Sequence, residues 1–106
     1  YITPANSGKY PAIFFAGLWT PREGDETTAC AIITEPASEH LKHIHERQPV
    51  VLDPACLRDW LNPEITDRTQ LRSVTHRLDP EQLKAIPVSP EVNNPRHNSP
   101  DLIREA

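Results

Sequence analysis

The sequence predicts an α+β fold, mostly antiparallel strands with two short helices, and three features carry that prediction. Two apolar, β-prone runs, Ala12–Trp19 and Thr28–Thr34, flank a polar turn containing Gly24-Asp25, the pattern of a hairpin. Two helical patterns begin at aspartates: Asp53, followed by Pro54, and Asp67. Aspartate suits the N-cap and proline the first helical position. Twelve prolines stand against three glycines among 106 residues. Proline neither donates in a ladder nor sits inside a helix, so the elements must be short.

In chain order, Tyr1–Thr3 is a short β-prone stretch and Pro4–Lys9 a turn rich in Asn, Ser and Gly. Ala12–Trp19 reads as a buried central strand, and Thr28–Thr34 as a second buried strand antiparallel to it. Glu35–Lys42 holds one helical turn that Ser38 is placed to cap, and Val50–Leu52 is another short strand. The helix from Asp53 carries Cys56, Leu57, Trp60 and Leu61 on one apolar face and stops at Asn62-Pro63. A second helix is expected from about Thr66 or Asp67 to Val74, and a single turn at Asp79-Pro80. Ala85–Ser89 is extended, Glu91–Asn98 irregular, and Leu102-Ile103 a short edge strand or tail.

The formal net charge of -4 argues against coating nucleic acid by bulk electrostatics, which needs a basic face. It leaves room for a site where one or two arginines grip a phosphate. No apolar run approaches the length of a membrane span. Tyr1-Ile2-Thr3-Pro4 is neither an initiator methionine nor a signal peptide, and is read as a cut N-terminus. Cys30 and Cys56 have no metal-type spacing and no disulfide framework, and both are expected to be buried, reduced thiols.

The densest polar cluster is His40, His43, His45, Glu46 and Arg47, and three readings compete for it. A zinc site has three histidines but no further ligand at a usual spacing. A solvated loop is the plain reading. The third is a proton-transferring histidine beside a phosphate-binding arginine: an extended chain puts His45 and Arg47 on one side, with Glu46 turned away. Histidine titrates near neutral pH, and the arginine fork matches phosphate oxygens.

Ile32-Ile33-Thr34-Glu35, then Ile44-His45-Glu46-Arg47-Gln48-Pro49, is similar to a known pattern: a threonine-ended strand followed by Ile-His-(Asp/Glu/His)-Arg-x-Pro. That pattern belongs to the SRAP family (SOS response-associated peptidase). Phe14-Phe15-Ala16-Gly17-Leu18-Trp19 upstream, and Trp60-Leu61, Pro87-Val88-Ser89, Val92-Asn93-Asn94-Pro95-Arg96 and Leu102-Ile103 downstream, resemble further family segments in the same order.

The resemblance implies a part in DNA-damage response. In the family, a mature N-terminal cysteine attacks the aldehyde of an abasic site in single-stranded DNA. Its amine and thiol close a thiazolidine, a stable DNA–protein crosslink. By the same resemblance His45 is catalytic, moving protons at the sugar oxygen. Arg47 holds a DNA phosphate, Thr34 bonds in the same pocket, and Asn93 and Asn94 shape its wall; no metal and no cofactor is implied. The family's N-terminal cysteine, a DNA-binding asparagine and arginine, and a catalytic glutamate lie upstream of the matched segment. Residues 1–106 are therefore expected to be the C-terminal part of one SRAP-like domain, inactive alone and partnered by the missing N-terminal half or a complementing chain. Neither Cys30 nor Cys56 can substitute, because the ring needs the α-amine of the same cysteine. The alternative is a degenerate DNA-binding or interaction remnant without crosslinking activity. The expected location is cytoplasmic, at the nucleoid when acting on DNA.

Overall fold

The computed structural model describes residues 1–106. Its strands are β1 (Ile2–Pro4), β2 (Phe14–Phe15), β3 (Gly17–Pro21), β4 (Thr28–Ile32), β5 (Thr34–Pro36), β6 (Arg47–Pro49), β7 (Val51–Leu52) and β8 (Leu83–Ala85). Its α-helices are α1 (Leu57–Trp60) and α2 (Arg68–Val74). All pairing is antiparallel: β1 with β8, β2 with β7, β3 with β4, and β5 with β6. The fold is therefore α+β, with antiparallel strands dominant.

Three of these ladders meet at one ring of backbone hydrogen bonds. The Ala16 N–H donates to the Val50 carbonyl at 2.8 Å, Val50 N–H to Ile33 at 2.9 Å, and Ile33 N–H to Ala16 at 2.9 Å. Each residue sits between two strands: Ala16 between β2 and β3, Ile33 between β4 and β5, Val50 between β6 and β7. Backbone polar groups leaving one ladder are thus satisfied inside the ring, as burial requires. Ala16 is 0% exposed and packs with Val50, Leu52 and Cys56.

This junction corrects two sequence readings. Ala12–Trp19 is not one buried strand but two strands hinged at Ala16. Phe14, Phe15, Leu18 and Trp19 are exposed, Trp19 at 71%. Thr28–Thr34 likewise breaks at Ile33, and every residue of β4 is exposed. Apolar composition marks a surface for covering, and within this chain the hairpin β3–β4 pairs only with itself. Cys30 on β4 is consequently exposed, contrary to expectation, whereas Cys56 is buried. The hairpin turn itself forms as read. Gly24 takes φ 73°, where only glycine is unstrained. The Thr27 backbone N–H at 3.0 Å, followed by its hydroxyl, holds the Asp25 carboxyl below the usual carboxylate range.

Two small cores lie on opposite sides of β7. Leu52 packs with Ala16, Val50 and Cys56, against Ile33, Leu57 and Trp60. Val51 packs with Leu41, Leu78 and Leu83, against Tyr10, Ile13 and Ala85. Successive strand residues point to opposite faces, so one two-residue strand serves both cores.

The helix starts follow the caps. Asp53 accepts from Ala55 N–H at 2.9 Å and opens a 3-10 turn, Pro54–Cys56, that runs into α1. Leu61 falls just beyond α1 and is exposed rather than on the packed face. Asp67 accepts from Thr69 and Gln70 and opens α2. Asp79 caps the 3-10 turn Pro80–Gln82. Ser38 does not cap through its side chain: its carbonyl receives Leu41 N–H and Lys42 N–H, while its buried hydroxyl has no partner. Leu102-Ile103 is not a strand but part of the 3-10 helix Pro100–Ile103, because Ser99 caps it and Pro100 suits its first position.

The exposed area is 8458 Å², whereas a folded monomer of this length exposes roughly 6,000 Å². The radius of gyration, 16.4 Å, likewise exceeds the roughly 13 Å of a compact domain of this length. No helix is long and apolar enough to cross a membrane.

Candidate functional site

The junction fixes where β5 and β6 begin and end: Thr34 follows Ile33, and Pro49 precedes Val50. Their register pairs Thr34 with Pro49, Glu35 with Gln48, and Pro36 with Arg47. Opposed residues share a face and alternate residues return to it, so Thr34 and Arg47 lie on one face as diagonal neighbours. Glu35, on the other face, forms an ion pair with Arg77, which ties the ladder to β7 through the Leu52–Arg77 bridge.

The segment between β5 and β6 is a ten-residue loop, closed at its base by two hydrogen bonds. Ala37 N–H donates to Glu46 O at 2.9 Å, and the Gln48 side-chain oxygen accepts from Ser38 N–H at 3.0 Å. Buried Leu41 anchors the loop in the second core. The three histidines of this segment diverge. The His40 ring bonds the Leu83 carbonyl at 2.8 Å, fastening the loop to β8. His43 lines a separate groove with Tyr1 and Ile86. No three His, Cys, Asp or Glu side chains converge as a metal-binding set.

His45 takes a third course. It stands just outside β6, not within a strand shared with Arg47, and its side chain folds onto the Arg47 backbone. Its Nδ1 accepts from Arg47 N–H at 3.0 Å and lies 3.0 Å from the Arg47 carbonyl oxygen. When Nδ1 accepts from the amide, the neutral ring carries its hydrogen on Nε2; when Nδ1 carries a hydrogen, the Arg47 carbonyl accepts it. Either tautomer keeps a backbone anchor on Nδ1, and in the Nδ1–H form Nε2 is the atom left to take up and give a proton. The Arg47 guanidinium donates through Nε at 3.3 Å and Nη2 at 3.1 Å to the Thr34 hydroxyl. Thr34, Arg47 and His45 are therefore one hydrogen-bonded unit, and all three are exposed.

His45 and Arg47 border a cleft of about 220 Å³ whose lining is mainly apolar, including Ile13, Phe15, Leu41 and Ile44. Asn93 and Asn94 do not line it. Asn93 ends the 3-10 helix Pro90–Asn93, and Asn94 accepts from Arg96 N–H at 3.0 Å. The apolar cleft residues and the Gln48 clamp escaped sequence reasoning. The apolar ones looked like ordinary core, and the Gln48–Ser38 bond spans ten residues with no local signature.

Known proteins share this architecture. The X-ray crystal structure of a protein from Bacteroides thetaiotaomicron matches 100% of this chain and 47% of its own, with a TM-score of 0.79 at 21% identity, a likeness of fold. Abasic site processing protein YoqW of Bacillus subtilis is 41% identical over 92 residues, 84% of this chain and 41% of the relative. Abasic site processing protein YedK of Escherichia coli is 35% identical over 95 residues, 87% of this chain and 43% of the relative. Abasic site processing protein HMCES of Rattus norvegicus is 33% identical over 90 residues, 83% of this chain and 25% of the relative. The chain thus spans less than half the length of each. The family model described as SOS response associated peptidase (SRAP) matches residues 1–95, and the chain belongs to that family.

Proposed function

We propose that this chain carries the histidine–arginine side of a centre that traps abasic sites in single-stranded DNA as a covalent crosslink. The observation that carries the reading is the joined unit of Thr34, His45 and Arg47, of which His45 and Arg47 border a cleft. A histidine whose Nδ1–H is held by the Arg47 carbonyl can, as the imidazolium, give its Nε2 proton to the ring oxygen of the abasic deoxyribose as the bond to C1′ breaks and the C1′ hydroxyl loses its proton to water to become the aldehyde. The aldehyde so exposed condenses with the α-amine of an N-terminal cysteine and loses water. The cysteine thiol then adds to the resulting imine carbon, its proton passing to the nitrogen, and closes a thiazolidine. Running the proton transfers backwards reverses the adduct. Arg47 holds the flanking phosphate.

The cysteine belongs to the other half of the domain, supplied upstream or by a complementing chain. Neither thiol here suits the role: Cys30 lies on β4, and the Cys56 thiol donates to the His76 carbonyl at 3.4 Å inside the first core. The exposed surface supports the same partner. Its excess over a folded monomer is on the order of 2,500 Å², the size of an obligate interface. Hairpin β3–β4, with exposed Leu18, Trp19 and Ile32, is the apolar part of that surface. The centre works in the cytoplasm, on the nucleoid.

The test uses a single-stranded oligonucleotide with one abasic site, incubated with this chain or with a chain that adds the upstream half, then run on a denaturing gel. A heat-stable shifted band only with the longer chain is the expected result. No band in either lane, with both proteins folded, favours a remnant without crosslinking activity and removes the catalytic role of His45.

A further inference from the structure

The Thr34–Arg47 contact uses a particular edge of the guanidinium. Arginine has five N–H groups on a planar fork. Nε–H and the adjacent Nη2–H form its side edge, and here both point at the Thr34 hydroxyl oxygen, at 3.3 and 3.1 Å. That edge is the one an arginine often offers to two phosphate oxygens. With it occupied, the terminal edge, made of Nη1 and the outer hydrogen of Nη2, remains. The hydroxyl oxygen accepts twice and keeps its own hydrogen, which it can still donate.

We propose that Thr34 is a positioning residue: it holds the Arg47 side chain by one edge, so that the terminal edge and the Thr34 O–H together form a preset row of donors for a phosphodiester. The inference deepens the DNA reading above and rests on it for the identity of the anion. Its structural basis is the junction. Thr34 is one residue from Ile33, whose N–H and carbonyl are both fixed in the ring, so the hydroxyl stands on a rigid post. Arg47, by contrast, ends in a long, exposed side chain that would otherwise lose much rotamer freedom on binding. An anchor made before binding removes part of that entropy cost.

Thr34→Val keeps the shape and removes the hydroxyl, and Thr34→Ser keeps the hydroxyl. Two readouts on this chain decide the matter: the side-chain Nε–H resonance of Arg47 by NMR, and affinity for an abasic single-stranded oligonucleotide at low salt. In the wild type the Arg47 Nε–H is expected to be a resolved, slowly exchanging signal. Thr34→Val should abolish that protection and weaken affinity about fivefold to tenfold, the scale of one net hydrogen bond, and Thr34→Ser should restore both. An Arg47 Nε–H that behaves alike in wild type and Thr34→Val overturns the proposal. So does a Thr34→Val protein that binds as tightly as wild type while Arg47→Ala binds more weakly. If Arg47→Ala itself binds as tightly as wild type, the DNA reading fails instead, and the NMR comparison still decides the anchor.

Discussion

His45 Nδ1 lies 3.0 Å from the Arg47 amide nitrogen and 3.0 Å from the Arg47 carbonyl oxygen. A single backbone residue thus offers the ring a donor and an acceptor on the same side. A general acid or base must change protonation state without moving, because its reach to the substrate is set by hydrogen-bond distance. Here the Arg47 carbonyl can hold an Nδ1–H both in the imidazolium and in the neutral ring left when Nε2 gives up its proton. The residue that carries the guanidinium is also the one that aims the imidazole.

The first prediction concerns the tautomer. For Nε2 to exchange the proton, the neutral ring must carry its hydrogen on Nδ1, where the Arg47 carbonyl oxygen accepts it at 3.0 Å. Long-range proton–nitrogen correlation spectra of the chain at high pH should show a protonated Nδ1 and an unprotonated Nε2. A dominant Nε2–H form would mean that Nδ1 accepts from the Arg47 amide instead and that Nε2 is not the exchanging atom.

The second concerns Arg47. On the proposed role of Arg47 as a phosphate contact, Arg47→Ala should lower oligonucleotide affinity and flatten its dependence on salt. On a plot of log affinity against log salt the slope should shrink by about 0.7, the value for one phosphate on a single strand. An unchanged slope with weaker binding would mean that Arg47 acts through His45 or the local backbone rather than on a phosphate.

The third separates chemistry from binding. In a chain that carries the upstream half, His45→Ala should leave Arg47 and its phosphate contact in place. Oligonucleotide affinity should then stay within about twofold, while crosslinking, or reversal of the adduct, slows on the order of 100-fold, a usual value for a lost general acid or base. Single-turnover gels give the rates and fluorescence anisotropy gives the affinity. Unchanged rates would remove His45 from the proton transfers.

Some of this was legible in the sequence and some was not, for physical reasons. The helix starts at Asp53 and Asp67 were legible because capping is local: the acceptor and the donors it satisfies lie within three residues. The closeness of His45 and Arg47 was legible for the same reason. The Thr34–Arg47 bond spans thirteen residues, and only the family pattern placed the two together. That pattern also placed Asn93 and Asn94 beside the pocket, whereas neither is among the residues lining the cleft that His45 and Arg47 border. The breaks at Ala16, Ile33 and Val50 were invisible, because each lies in an apolar stretch and the bend arises only where three distant segments meet. Hydrophobicity also misreported depth at Trp19. It marks apolar residues, and cannot say whether anything in the same chain covers them; here β3 and β4 pair only with each other.

The last prediction tests the junction. Ala16 is fully enclosed, and its N–H and carbonyl are both committed to the ring. Ala16→Leu adds three carbon atoms where Val50, Leu52 and Cys56 already pack, so it should destabilise the chain by about 1–3 kcal/mol, the usual cost of overpacking. The damage should travel along the strands. Ile33 would be pushed away, Thr34 would shift with it, and the protected Arg47 Nε–H signal should be lost even though neither partner has changed. Trp19→Ala is the comparison: Trp19 is 71% exposed, so its loss should alter stability by no more than about 0.5 kcal/mol and leave that signal intact. Urea unfolding gives the stabilities and the same NMR experiment reads the site. If Ala16→Leu unfolds at lower urea but keeps the Arg47 signal in its folded state, the junction supports the fold without positioning the site.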